Sequence, residues 1–230
     1  MTSTRQTCLL DCKLIIDRSV YFLESGYGVA HFAPMSIPTA APEAVSAKRT
    51  HLMNTAQRLF YRDGFRIVGI DTLLAEAGVA KMTLYNHFAS KDELIVAVIE
   101  KLDADVRAAL TAAVEAAGHS PTRRMLAVFD WLKVWFDSAD FKGCAFIRAL
   151  SEYPDPAHPI HQAAWRHKEA VNDLLTQLAT DAGASRPAKL ASALSLLVNG
   201  SILSAHATGS SAAATTARAT AAILLKQATA

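Results

Sequence analysis

Lys81, Thr83, Tyr85 and His87 fall at alternate positions of one short segment, and Lys91 follows four residues later. The segment between Gly78 and Lys91 reads as the end of one short helix, a tight turn at Gly78, and a second short helix ending near His87. Cationic, hydroxyl, phenol and imidazole groups exposed on such a helix, among further basic residues, suit a DNA major groove better than a catalytic pocket. A second set of side chains lies in the later part of the chain, where Phe129, Trp131, Trp135, Phe136, Phe141, Phe146, Tyr153 and Trp165 bring many rings into one neutral region. Cys144, Glu152, His161 and His167 are close to them in sequence. Apolar walls with a few polar groups are the makings of a small-molecule cavity, and for any single ring the plain alternative is core packing.

Other chemistry finds little footing. His158 and His161, with Glu152, Asp155 and His167, carry ligand-type atoms, but irregular spacing across a Pro-rich loop gives no metal-site signature, and no metal or cofactor is expected. Cys144 has no nearby cysteine to resolve an oxidised state, so it reads as a small buried residue. No Gly-rich phosphate loop, nucleophile elbow or paired catalytic carboxylate stands out, and an enzyme is not expected.

The elements that position these groups are helices. Of 230 residues, 51% are hydrophobic, with much alanine, 7% are aromatic and only 10 are glycine, a composition of packed helices. The formal net charge of +2 says little. Its distribution says more: residues 47–91 hold seven Lys/Arg against three acids, a local +4, while residues 111–230 hold eleven against nine. A basic small module beside a near-neutral larger one is the pattern of a DNA-binding head on a body with another task. The three cysteines make no disulfide framework and fit a reducing cytoplasm. No run approaches the ~18 apolar residues of a membrane span; the most apolar late stretch, Leu190 to Ala207, is broken by serines, Asn199 and His206.

Residues 1–45 read as a disordered or dispensable extension. Pro34, Pro38 and Pro42 mark a linker, and Met35 offers an alternative start that would leave residues 1–34 outside the native protein. Asp11, Lys13, Asp17 and Arg18 interrupt any signal-peptide core. From Ala47 a helical period runs through Leu52, Ala56, Leu59, Phe60 and Ile67, and Gly64 ends this helix. A second helix covers about Ile70–Ala77 with Leu73, Leu74 and Ala77 inward. The third, Lys81–His87, buries Leu84 and Phe88. Ser90 and Glu93 form a capping box for a fourth, through Leu94, Val98 and Leu102 to about Ala117. Five more follow at about Pro121–Ala139, Cys144–Tyr153, His158–Ala182, Pro187–His206 and Ala212–Ala228. The last two carry apolar residues (Leu190, Ala193, Leu194, Leu197, Val198 and Ile202, then Ala217, Ala221, Leu224 and Leu225) that need burial against the body or a second subunit.

Ala47 to Lys101 resembles the TetR (tetracycline-repressor-like) family of bacterial transcription regulators. The match lies in Ala56-x-x-Leu59-Phe60-x-x-x-Gly64-Phe65, in Ile70-Asp71-x-Leu73-Leu74-Ala75-x-Ala77-Gly78-Val79, and in Thr83-Leu84-Tyr85-x-His87-Phe88-x-Ser90-Lys91-x-x-Leu94. The resemblance implies an all-α fold: a three-helix helix-turn-helix head at residues 46–106, with its motif at about 69–88, and a larger effector-binding and dimerisation body at 107–230. It implies a cytoplasmic homodimer paired through its last two helices and bound to a palindromic operator in double-stranded DNA, with recognition helices ~34–36 Å apart. The expected function is a repressor released by a small, largely apolar ligand held near Trp131, Trp135, Phe136, Cys144, Phe146, Glu152, His161 and Trp165. The alternative is a helical DNA-binding or interaction protein with no effector.

Carried onto the head, the resemblance makes Tyr85, His87 and Lys91 phosphate-positioning groups, with Thr72 reaching the opposite backbone. Lys81, Met82, Thr83 and Asn86 are the candidates for base edges. Two departures from the family pattern stand out. Val68-Gly69 stands where Thr or Ser commonly opens the second helix, and Met82 stands where a small residue is common.

Overall fold

The computed structural model describes residues 47–230, which form nine helices: α1 Ala47–Asp63, α2 Ile70–Ala77, α3 Lys81–Tyr85, α4 Lys91–Ala116, α5 Pro121–Phe136, α6 Ala145–Glu152, α7 Pro159–Asp181, α8 Pro187–Thr208 and α9 Ala212–Ala228. The expectations for residues 1–45, and for a start at Met35, lie outside the described residues. The described chain divides into two compact units, residues 47–98 and 99–230, with α4 beginning in the first and continuing in the second.

In the first unit, Leu52, Leu59 and Phe60 of α1 meet Leu73 of α2, Leu84 of α3, Phe88, and Leu94 and Ile95 of α4 as fully buried side chains. Phe65 joins them, its ring 5.5 Å from that of Phe60. Polar contacts pin the helices at the rim. The His51 ring lies 2.9 Å from the Ala77 carbonyl oxygen, and Arg58 donates to Glu76 at 2.8 Å. Ile67 departs from the sequence expectation. α1 stops at Asp63, so Ile67 falls in the following turn and is 83% exposed, while Val68 turns inward in its place. Leu74 is only half-buried, because the eight residues of α2 turn a narrow face to the core.

The second unit is a helical bundle whose core draws Leu110 and Val114 of α4, Met125, Phe129 and Leu132 of α5, Leu175 and Leu178 of α7, Leu194 and Ile202 of α8, and Ala217 and Leu225 of α9. Prolines occupy the first turn of α5, α7 and α8, where a missing N–H costs nothing. Ser120 and His158 cap the first two of these helices, accepting from the amides of Arg123 and Ile160. Gly143 sits at φ 85°, and a Cβ there would lie 3.2 Å from the His206 ring, so this turn is closed by both backbone and neighbour.

Among the described residues, α8 is one helix long and apolar enough to cross a membrane, with a mean hydropathy of 1.4. The serines, Asn199 and His206 that interrupt this stretch do not lower its average below that of a spanning helix. Its Leu190, Leu194, Val198 and Ile202 pack into the bundle, so the apolar content of that face is used in a core rather than against lipid.

Candidate nucleic-acid interface and ligand region

The turn between α2 and α3 is built by Gly78 at φ 62°, a left-handed C-cap whose amide bonds the Ala75 carbonyl while Val79 bonds that of Leu74. α3 is one and a half turns long and held by one fully buried residue, Leu84, with Phe88 just beyond. With Leu84 inward, Lys81, Met82, Tyr85 and Asn86 are exposed, Met82 at 69% and Tyr85 at 41%, while Thr83 and His87 are half-buried. Large apolar surface left open on a short polar helix has no role in the unit's own core. Thr72 is exposed on α2. Gly69 opens α2 without a side-chain cap, as the departure from the family pattern implies, and a Cβ there would meet nothing closer than 4.0 Å.

Lys91 is placed differently from a simple free cation. Its Nζ donates to the Arg66 carbonyl at 3.1 Å, tying the α1–α2 turn to the start of α4. The Ser90 hydroxyl accepts from the Glu93 amide at 3.1 Å, and the Glu93 carboxylate reaches back to the Ala89 amide at 2.7 Å. The capping box thus forms with its return bond one residue earlier than Ser90. Asp92 and Glu93 also put two carboxylates into this first turn, which an incoming phosphate must avoid.

In the body, the ligand-region residues fall into separate groups. Trp131 and Trp135 lie 5.6 Å apart, Trp135 meets Phe141 edge-on at 5.0 Å, and Phe136 lies 4.9 Å from Phe141. The Trp131 Nε1–H is buried without a hydrogen-bond partner. Phe146 stacks flat on His167, 3.5 Å between ring centres, and Cys144 Sγ lies 3.6 Å from Lys168 Nζ. His161 Nδ1 pairs with the Tyr153 carbonyl at 2.8 Å, at the far end of α6 beside half-buried Glu152. Trp165 is 51% exposed. The three histidines with ligand-type atoms are each engaged otherwise, His158 as a helix cap and His161 as a carbonyl partner, both beside Tyr153, and His167 as an aspartate partner. A groove of about 520 Å³ opens between α8 and α9, lined by Leu196, Leu197, Gly200, Ser204 and Thr216 among others, and none of the proposed ligand residues borders it.

His167 and Asp103 were too far apart in sequence to pair by inspection, yet their side chains meet at 2.8 Å. Burial pushes the His167 imidazole down to about 4, against the pull of the Asp103 hydrogen bond. Asp103 sits below the usual carboxylate range, because hydrogen bonds from Arg107 and His167 together outweigh its burial. The folded body therefore holds a neutral His167, 4% exposed, beside an ionised Asp103. Since the folded value lies below the ordinary 6.5, the unfolded chain binds the proton more tightly. Stability is fully present above about 6.5 and falls as pH drops towards 4, by about 3 kcal/mol at most. Urea unfolding of the body at pH 7 and pH 4.5 should show this loss, and His167→Gln should shrink the difference between the two.

Residues 52–98 match the family model described as bacterial regulatory proteins, tetR family. The solved structure of SCO4454, a TetR-family transcriptional regulator from Streptomyces coelicolor, superposes with a TM-score of 0.76 at 33% identity, over 80% of this chain and 96% of that one. The chain belongs to the TetR family. Among curated TetR relatives, the regulator YjdC of Escherichia coli is 36% identical over 78 residues, which cover 34% of this chain and 41% of YjdC. The repressor NemR of E. coli is 28% identical over 130 residues, 56% of this chain and 65% of NemR. The chain thus spans less than two thirds of either curated relative. The TetR model ends where α4 leaves the first unit, so the family likeness in sequence is concentrated on the head. Relatives of this kind are transcription regulators, which act by binding DNA rather than by catalysis.

Proposed function

We propose that the protein is a cytoplasmic, homodimeric repressor that binds a palindromic operator and is released by a small molecule bound in its body. The observation that carries the DNA-binding part is α3: a helix anchored by Leu84 that leaves Lys81, Met82, Tyr85 and Asn86 open to solvent beside a αL turn. Tyr85, half-buried His87 and Lys91 position the phosphate backbone, with Thr72 on the opposite strand. Lys81, Met82, Thr83 and Asn86 face base edges: the ammonium suits guanine acceptors, the amide suits adenine, and the Met82 side chain or the Thr83 methyl packs on a thymine methyl. Residues 46–106 act as the DNA-binding domain and 107–230 as the effector and dimerisation domain. Repression is the reading favoured by the likeness to NemR, a transcriptional repressor.

Pairing runs through α8 and α9. The residues singled out in the sequence, Leu190, Leu194, Val198 and Ile202, turn into the protomer's own core, and a different stripe, Leu196, Leu203 and Ile223, stays 74%, 65% and 59% exposed. That stripe is the surface a second copy covers. Ligand acts by favouring one separation of the two heads, and it releases DNA only to the extent that it binds that separation more tightly.

The DNA upstream of the protein's own gene, titrated at several salt concentrations, tests the head. Lys91→Ala should weaken every sequence alike and reduce the salt slope by about one. Asn86→Ala should instead cost about 1–3 kcal/mol of discrimination at one base position. A variant series in which neither the slope nor the preference moves would remove the assignment. A compound screen for release of the bound DNA tests the ligand.

A further inference from the structure

Lys168 is half-buried on α7, and its ammonium makes only neutral contacts: the Asn199 side-chain oxygen of α8 at 3.0 Å and the Cys144 sulfur at 3.6 Å. No carboxylate among the described residues lies within ion-pair distance of it. Its chain neighbour His167 is neutral and points to Asp103, and Glu169 is exposed. A cation drawn out of water without a counter-ion sits at a cost that an anion would relieve. Hydrogen-bond capacity is lopsided in the same sense. A thiol is a weak acceptor, so the ammonium has one good acceptor for three donors. The Asn199 oxygen must face the ammonium, which leaves its NH2 pointing elsewhere as a further donor.

The aromatic set lies next to this donor group. Phe141, edge-on to Trp135 at 5.0 Å, precedes Cys144 by three residues, a span of at most about 10 Å. At the other end of that set the buried Trp131 Nε1–H also lacks an acceptor. Rings on one side and a cation without a carboxylate partner on the other define a complementary molecule.

We propose that the body's ligand is an organic acid, an apolar or aromatic skeleton bearing a carboxylate, with Lys168 and Asn199 receiving the carboxylate and the Trp131–Phe141 rings receiving the skeleton. This rests on the ligand-responsive reading above and names its chemical class. Lys168 replaces Glu152 and His161 as the charged determinant, since those two lie at the far end of α6 from Cys144.

Binding of 4-phenylbutyrate and of its neutral counterpart 4-phenylbutan-1-ol to the full chain, followed by tryptophan fluorescence and by thermal shift, tests the proposal. The acid should bind about ten- to a hundredfold more tightly than the alcohol, the scale of a charge-assisted hydrogen bond. Lys168→Met should remove that preference and Lys168→Arg should keep most of it, with melting curves confirming that both variants fold. An alcohol that binds as tightly as the acid, acid binding unchanged in Lys168→Met, or no binding of either probe at millimolar concentration would each overturn it. Release from DNA is read in parallel. A neutral compound that binds and frees DNA defeats the anion preference alone, whereas bound compounds that never alter DNA affinity defeat the ligand-responsive reading itself.

Discussion

Leu196→Glu combined with Leu203→Glu is expected to yield a folded monomer that binds a two-half-site operator about 10²–10⁴-fold more weakly, the factor lost when linked half-sites become separate binding events. α8 carries two apolar faces. Leu190, Leu194, Val198 and Ile202 are buried in the bundle, and Leu196 and Leu203, two helical turns apart, stand 74% and 65% exposed on another side. Gly200 lies between them and lines the α8–α9 groove, where the absence of a side chain lets another helix approach. Exposed leucines in a row gain little from water and much from a second copy. Glutamates at both positions would put two like charges, and their symmetry mates, into the pairing surface without partners. Sedimentation should show the monomer, and far-UV circular dichroism should show the helices intact, because both substituted residues already face solvent in the protomer. A double variant that stays dimeric would move the interface elsewhere.

The same two faces explain what the sequence did not disclose. Helix positions were most legible where a start carries a cap or a proline: Ser90, Ser120, Pro159 and Pro187 all lie within a residue or two of an observed boundary. The turn and recognition helix of the head were legible, since Gly78 must adopt a left-handed turn, Leu84 has only one side of a five-residue helix to occupy, and Phe88 follows it into the core. Failures arose where choice depends on tertiary partners. On α8 apolar residues occur all round, so periodicity could not say which stripe faces the core and which a second subunit. Ile67 fitted the period of α1, but Asp63 ends the helix before it. The pairings of Asp103 with His167 and of Lys168 with Asn199 join residues far apart in the chain and follow no local rule. The ring set was recognisable as a group, yet its division into a Trp131–Phe141 cluster, a Phe146–His167 stack and an exposed Trp165 depends on helix rotation that composition does not encode.

Phe88→Ala should abolish DNA binding by unfolding the head while leaving the body helical. The ring is 1% exposed, follows directly from the α3 turn through its amide bond to the Leu84 carbonyl, and carries the Arg49 guanidinium 4.8 Å above its centre. Truncation of a buried phenylalanine costs about 3–5 kcal/mol. A unit of the size of residues 47–98 commands roughly 3–8 kcal/mol in all, at the usual stability per residue, so the loss consumes most or all of it. Two contributions add here. The cavity deprives Leu84 and Leu94 of packing, and the cation over the ring loses its partner. The recognition helix suffers first, because five residues cannot hold a helix without tertiary contacts. Amide hydrogen exchange should show protection lost from α1 to the start of α4 and kept from α5 onward. Phe88→Leu, which refills most of the volume, should recover both protection and DNA binding. Tyr85→Ala gives the contrasting outcome, weaker DNA binding with exchange protection unchanged, because that ring is 41% exposed and its removal opens no cavity in the head. If Phe88→Ala kept the head protected and bound DNA normally, the anchoring of α3 by Leu84 and Phe88 would not be what presents the contact surface.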